Sequence, residues 1–345
     1  MGKKDLIVTL ADKNFIDQAK QVFSSIYWNA GWKGDYMLLA HEIPEKELKW
    51  FRDKGILVKK CKPLYDKHIG RDNYPPTVLD KFYLFTEEFQ KWGHVIFLDG
   101  DVIVRQPLDE LTKIKGFGAV ETLINLSKQF FKTEKNKFLF NSLKKRYNMH
   151  KPSFNTGVFV FNTSLITKNS FSEMVSLFYK IKEISMSADE TTFNLFFYNN
   201  WKKLSVVYNL LVCYWIHFFH VNGSKINGKI LHFMKNNKEL ISDKSFYFHK
   251  EWKENLDKAE FIDLKNIPKI TPLNKFSIYR IHLKYIKHFC IFFLFLQKIK
   301  KLTDFIERII GKIGPPLKKY DSNLFYQLKK MELSTKKIIR RVRNA

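Results

Sequence analysis

The sequence predicts an α/β protein whose mainly parallel sheet is covered by helices. Three observations lead there. Short apolar runs at 6–10, 36–40 and 56–58 alternate with amphipathic stretches at 15–28 and 45–54, which is the βαβαβ pattern of a parallel sheet. A further run, Val95-Ile96-Phe97-Leu98, stops abruptly in Asp99-Gly100-Asp101, so two carboxylates stand at the end of a buried strand. With 345 residues and 45% hydrophobic side chains, the chain can bury a large core in one or two domains.

Leu6 to Leu10 is apolar and β-branched, and Ala11-Asp12-Lys13-Asn14 turns the chain. Phe15, Ile16, Ala19, Val22, Phe23 and Ile26 then recur at helical spacing. Tyr36 to Ala40 reads as the second strand, Glu45 to Lys54 as a helix closed by Gly55, and Ile56 to Val58 as the third strand. Tyr74-Pro75-Pro76 breaks the chain, and Thr77 to Trp92 is expected to be a helix leading into Val95. In Ser153 to Thr163, Asn155-Thr156-Gly157 reads as a turn and Val158 to Phe161 as a strand. Phe171 to Ile184 is amphipathic at helical spacing. A second helix opens at Ser187-Ala188-Asp189-Glu190, with Ser187 or Asp189 as its cap, and runs through Phe197. Ile230-Leu231-His232-Phe233 is a short apolar strand carrying a histidine. The pattern changes around Pro268 and Pro272, which divides a globular domain over 1–268 from a tail over 269–345.

Charge separates the same two parts. The chain carries a net +26, of which +14 falls in residues 275–345. The tail mixes basic and large apolar side chains, with Ile299, Leu302, Phe305, Ile306, Ile309 and Ile313 at helical spacing. Its longest apolar run, Phe289 to Leu296, falls far short of the roughly 20 residues that span a bilayer. Gly314-Pro315-Pro316 ends the helical pattern and KKIIRRVRNA closes the chain. Such a tail suits an anionic membrane surface; packing on the main domain is the structural alternative. Cys61, Cys213 and Cys290 are scattered without metal or disulfide spacing, which fits a reducing compartment. The first apolar run, Leu6 to Ala11, is too short for a secretory signal. The expected location is therefore cytoplasmic, on the inner face of the membrane.

A carboxylate beside a core is costly unless its charge is compensated, and a bound divalent cation is one such compensation. The carboxyl ends of strands are also where open α/β sheets place ligands. Asp-x-Asp is a common pattern, however, and a polar turn between two strands accounts for it equally well.

Five stretches, taken in order, resemble the family 8 glycosyltransferases, which include glycogenins and bacterial lipooligosaccharide galactosyltransferases. They are VTLADKNF, DKFYLF, HVIFLDGDVIVRQPLDEL, FNTGVFVFN, and ADETTFN followed by ILHFMKNNK, spread over most of the first 240 residues. The third is the most specific. The resemblance implies a GT-A nucleotide-diphospho-sugar transferase fold and a metal-dependent, retaining hexosyl transfer from a UDP-sugar to a glycan or lipid-linked saccharide acceptor.

Residue by residue, the resemblance implies that Asp12 and Asn14, beside Leu10 and Ala11, hold the base and ribose. It places Lys81 near the donor sugar and phosphates. It makes Asp99 and Asp101, around Gly100, metal ligands, with His232 as the third. Glu121 stands where a sugar-binding acid is common, and Asn155, Thr156 and Gly157 stand at the donor-sugar contacts. Asp189 matches the acid beside the reaction centre, and Glu190 falls where the family usually has Gln. Lys238 matches a lysine that reaches the diphosphate, with Lys235 replacing a usual glycine nearby. Glu239-Leu240 also replaces the family's Pro-Trp, so the loop over the diphosphate departs from the common pattern.

An imidazole beside two aspartates disfavours Ca²⁺ and suits Mn²⁺ better than Mg²⁺, which stays as an alternative. Retention leaves two routes: a covalent glycosyl-enzyme intermediate, with Glu190 as nucleophile, or same-face attack within an ion pair. A glycogenin-like transferase that glucosylates itself or another protein is the alternative enzyme. A basic nucleic-acid-binding protein would explain the charge but not the acidic pair, and no nucleic-acid partner is expected.

Overall fold

The computed structural model describes residues 2–70, 73–131, 133–134, 136–218, 220–234 and 237–272, together with parts of 280–336. Two compact units emerge: residues 1–212 with 223–278, and residues 213–222 with 279–345.

In the first unit, strand β1 (Leu6–Ala11) leads through helix α1 (Ile16–Ser25) to β2 (Asp35–His41), then through α2 (Glu45–Asp53) to β3 (Leu57–Cys61). β4 (His94–Leu98), β5 (Val102–Val104) and β6 (Phe117–Asn125) follow, then α3 (Lys137–Arg146), β7 (Pro152–Asn162), α4 (Ser170–Ile181) and α5 (Ala188–Phe196). β8 (Trp201–Lys203), β9 (Leu210–Leu211), β10 (Ile230–His232), α6 (Asn237–Ser242) and α7 (His249–Lys258) complete it. A seven-stranded mixed sheet runs β3-β2-β1-β4-β7-β6-β8, and a small sheet runs β5-β10-β9. β1, β2, β3 and β4 are mutually parallel, as the alternation predicts. β7 turns antiparallel against β4 and β6.

Phenylalanine fills the space behind the site. Phe97, Phe159 and Phe161 from the sheet meet Phe85, Phe193 and Phe197 from the covering segments, all buried. Phe85 stacks on Phe161 with ring centroids 4.4 Å apart, and Phe117 on Phe197 at 4.0 Å. Truncating one such ring to alanine typically costs about 3–5 kcal/mol, so this layer rigidly backs the strand ends.

Two local expectations are corrected and a third is narrowed. Residues 77–92 do not form an α-helix but two 3₁₀ segments, Pro76–Phe85 and Glu87–Lys91, separated by an extended Thr86. The segment is buried on more than one side: Leu79, Phe82 and Phe85 enter the core, while Asp80 and Lys81 are buried too, against His41 and against Asp99 and Asp189. An amphipathic α-helix cannot bury so many sides at once. Asn155-Thr156-Gly157 is not a turn but the middle of β7. Ala119 faces Phe159 while the next residue, Val120, faces Asn155, so β7 bulges between them. A bulge of this kind re-aims side chains. Ser187 does take the N-cap position of α5 but makes no side-chain cap bond, and Asp189 lies inside the helix with its carboxylate turned elsewhere.

In the second unit, Trp215 packs its ring 5.9 Å from that of Tyr285 and 5.5 Å from that of His288. Residues 283–288 and 301–307 are helical, with Thr303 and Ile306 buried. The apolar run Phe289–Leu296, the Gly314-Pro315-Pro316 break and the closing KKIIRRVRNA lie outside the described residues. No helix among the described residues is long and apolar enough to cross a membrane.

Candidate active site

The site forms where the two sheets of the first unit meet. β4 is central in the large sheet, and its continuation, Asp99, donates its backbone N–H to the Gly157 carbonyl on β7 at 2.7 Å. The chain then passes into β5, whose antiparallel partner β10 places His232 opposite Val102. The Phe233 N–H donates to the Asp101 carbonyl at 3.0 Å and fastens the two strands where the aspartates end. Asp99, Asp101 and His232 thereby each offer one ligand atom, all within 4.8 Å of one another.

Two glycines serve this arrangement differently. A Cβ on Gly157 would lie 2.2 Å from His232 Cε1 and 2.9 Å from Asp99 Oδ2, so only glycine lets imidazole and carboxylate converge over β7. A Cβ on Gly100 would meet nothing closer than 3.6 Å.

Electrostatics bind the cluster tightly. His232 Nε2 lies 3.2 Å from Asp101 Oδ1. Burial works against the Asp101 charge, yet His232 holds its carboxyl below the usual range. Burial likewise disfavours the His232 cation, but Asp101 and Asp99 outweigh it and raise the imidazole. Asp99 is pushed up by burial, against the pull of Lys81. Two carboxylates and one imidazole around a shared space form a donor set that fits a divalent metal ion, and their mutual proximity is hard to sustain without a nearby positive charge.

Lys81 supplies part of that charge. It is almost wholly buried, its Nζ 3.0 Å from Asp99 Oδ1 and 2.8 Å from Asp189 Oδ2, over the face of Phe97. Burial opposes its charge, but Asp189 and Asp99 raise it above the ordinary lysine value. Thr156 Oγ1 donates to the same Asp189 oxygen at 2.8 Å. Next to it in the first turn of α5, Glu190 Oε1 accepts from Gln129 Nε2 at 2.7 Å and Oε2 from Asn155 Nδ2 at 2.8 Å. Burial pushes the Glu190 carboxyl up to about 7, partly offset by these two bonds.

Leu10 and Ala11 are buried at the end of β1, beside the aspartate turn, and the Leu10 carbonyl lies 3.7 Å from where a Gly100 Cβ would stand. Asp12 Oδ1 accepts from the Asn14 N–H at 2.7 Å, closing the strand-to-helix turn. Glu121 stands apart from this network, its carboxylate 2.8 Å from Lys203 Nζ. Lys238 is exposed on α6, and Lys235 lies outside the described residues.

Two residues that sequence reasoning passed over belong here. Gln129 holds Glu190, and nothing in its local sequence marks it. Asn209, 1% exposed, accepts at Oδ1 from His232 Nδ1 at 2.9 Å and donates from Nδ2 to Asn155 Oδ1 at 2.8 Å. Its only trace in the sequence is a lone amide inside the apolar run VVYNLL. Glu110, in the conspicuous PLDEL stretch, works as a brace: it accepts from Tyr208 Oη at 2.5 Å and Lys229 Nζ at 2.9 Å, tying β5's continuation to the segments flanking β9 and β10.

The model of the glycosyl transferase family 8 matches residues 6–239, a span that contains both aspartates, His232, Asp189 and Glu190. The chain belongs to this family. It is accordingly a glycosyltransferase, and its mixed α/β architecture is the GT-A fold. Among solved structures, galactosyltransferase LgtC in complex with donor and acceptor sugar analogs is 17% identical, with a TM-score of 0.55 over 76% of this chain and 98% of that one. WbbM, a bifunctional glycosyltransferase, is 15% identical with a TM-score of 0.55 over 82% of this chain. The glycosyltransferase GlyE of Streptococcus pneumoniae TIGR4, in its apo form, is 17% identical with a TM-score of 0.53 over 77%. At these identities the likeness is one of fold. This family 8 chain spans 52% of the length of WbbM and 63% of that of GlyE. Among curated proteins, no sequence matches significantly.

Proposed function

We propose that this glycosyltransferase moves a hexose from a UDP-sugar to a glycan or lipid-linked saccharide with retention at the anomeric carbon, using Mn²⁺, or Mg²⁺ in its place, on Asp99, Asp101 and His232. The observation that carries the reading is the convergence of those three side chains from widely separated positions within the matched span. When bound, the cation offsets the charge that develops on the diphosphate as the glycosidic bond breaks.

The chain's own residues supply the rest. Leu10, Ala11, Asp12 and Asn14 receive the nucleoside at the end of β1. Asn155, Thr156 and Gly157 line the donor-sugar side, next to Lys81. Lys81 is locked by two carboxylates, so it holds Asp99 and Asp189 in fixed positions rather than swinging to the phosphates. Lys238, exposed on α6, supplies positive charge to the leaving diphosphate. Glu190 has both oxygens held by neutral amide donors and is oriented without an ion pair. It assists at the sugar as nucleophile or as electrostatic stabiliser. The basic tail holds the enzyme at an anionic membrane face, on the cytoplasmic side, where a lipid-linked acceptor is presented.

A screen of UDP-sugars for Mn²⁺-dependent hydrolysis tests the reading, since a transferase without acceptor slowly passes its sugar to water. One UDP-sugar hydrolysed faster with Mn²⁺ than with EDTA is expected; no binding of any UDP-sugar with or without metal would overturn it. Binding of the full chain to anionic rather than neutral vesicles, reversed by salt, tests the membrane part.

A further inference from the structure

We infer that Asn209 is the positioning residue that selects the tautomer of His232, and that a relay of two amides, Asn209 and Asn155, ties the metal end of the site to Glu190. The inference rests on the metal-binding reading of Asp99, Asp101 and His232.

The direction of the relay follows from one group that has no choice. A backbone N–H can only donate, and the Gly157 N–H points at the Asn155 side chain at 2.9 Å. That fixes Asn155 with Oδ1 toward Gly157 and Nδ2 toward the Glu190 carboxylate. The same Oδ1 faces Asn209, which must then present Nδ2, at 2.8 Å. Asn209 Oδ1 is left for His232 Nδ1, at 2.9 Å. An amide oxygen only accepts, so Nδ1 carries the imidazole proton. In the neutral imidazole the lone pair is then on Nε2, the nitrogen that faces Asp101. Neutral imidazole ligates a metal through its unprotonated nitrogen, and the partner of the other nitrogen decides which one that is.

Local structure supports a dedicated role. Asn209 sits between a 3₁₀ turn, Val206–Tyr208, and β9, which pairs in parallel with β10 so that Leu211 lies beside His232. A buried amide there, among Val206, Val207, Tyr208, Leu210 and Leu211, costs desolvation unless both its ends are bonded. Both are. Gly157 joins the device at a second point, since the space left by its missing side chain is occupied by His232 Cε1 and Nδ1.

The test uses the full chain without donor, so that it reads metal binding and not turnover. Asn209→Leu keeps the shape but removes both bonds, and Mn²⁺ affinity, read from the electron paramagnetic resonance signal of free Mn²⁺, should fall about 10- to 100-fold. Asn209→Asp keeps an acceptor for the Nδ1 proton and should stay within about threefold of wild type while still losing the bond to Asn155. Independently of any variant's folding, a ¹⁵N-histidine spectrum of the Cd²⁺-loaded wild-type chain should show the His232 proton on Nδ1, with the signal assigned by its loss in His232→Gln. A proton on Nε2, or an Asn209→Leu chain that binds Mn²⁺ as tightly as wild type, would overturn the inference while leaving the metal site standing. A wild-type chain that binds neither ion would overturn the inference and the proposed metal site together.

Discussion

Lys81 Nζ lies 3.0 Å from Asp99 Oδ1, so one oxygen of a proposed metal ligand is already paired with a buried ammonium. The same ammonium is shared with Asp189 at 2.8 Å. This buried trio is the chain's own answer to the cost of gathering carboxylates beside a core. Removing the cation from such a group leaves uncompensated buried charge, which typically costs about 3–5 kcal/mol. Lys81→Met should lower stability in urea unfolding by an amount of that order, at pH 7 and without added metal. A loss below about 1 kcal/mol would show that the trio is not an interdependent unit.

The two glycines of the site make a graded pair. Gly157→Ala drives a methyl group into His232 and Asp99, where the backbone of β7 and the imidazole are both held. Mn²⁺ affinity should fall at least about tenfold, in the range seen when a ligand's support is disturbed. Gly100→Ala meets only ordinary contacts at 3.6 Å and beyond and requires no unusual backbone angle. Its loss in affinity should be several-fold smaller. Equal losses in calorimetric titration would refute the steric account.

The contrast between these glycines marks where sequence reasoning reaches and where it stops. The β1-α1-β2-α2-β3 run is legible because each element carries its own period, and Leu98 to Asp101 is legible because polarity changes abruptly at a strand end. The pairing of His232 with Asp101 is set by β10 against β5, a non-local antiparallel contact that no local pattern encodes, so only the family resemblance pointed to it. The bulge in β7 depends on register with β6 and reads as a turn from composition alone. Asn209 and Gln129 act through a single amide each, and one polar residue in an apolar stretch carries no period at all. Glu121 matched by position in the sequence, yet its carboxylate is engaged by Lys203 on the edge strand β8.

Asp99→Asn and Asp101→Asn should each abolish Mn²⁺-dependent sugar transfer while leaving the fold intact. The fold survives because Asp189 still pairs Lys81 when Asp99 is neutralised, and because the Asp99 N–H and Asp101 carbonyl keep their backbone bonds to Gly157 and Phe233. Circular dichroism with parallel metal titration separates the two effects. A well-folded double mutant with full metal-dependent activity would exclude this pair as ligands.

Glu190 gives a pH signature with a definite sign. Its carboxyl is pushed up to about 7 in the folded chain, above the ordinary glutamate value. Between roughly pH 4.5 and 7 the folded state therefore holds more protons than the unfolded state, and Glu190's contribution to stability falls as pH rises through that window. Glu190→Gln removes the titration. Its effect at any one pH includes the mispairing of a new amide against the Gln129 and Asn155 donors, but that offset does not vary with pH. The stability of Glu190→Gln relative to wild type should thus climb by about 1–3 kcal/mol between pH 5 and 8. Transfer should show the opposite limb: if the carboxylate serves as nucleophile or stabiliser it must be ionised, so the wild-type rate rises through about pH 7 and Glu190→Gln loses that rise. A flat stability difference across this range would place the Glu190 pKa near its ordinary value, and an unchanged pH–rate profile in the mutant would remove Glu190 from the chemistry.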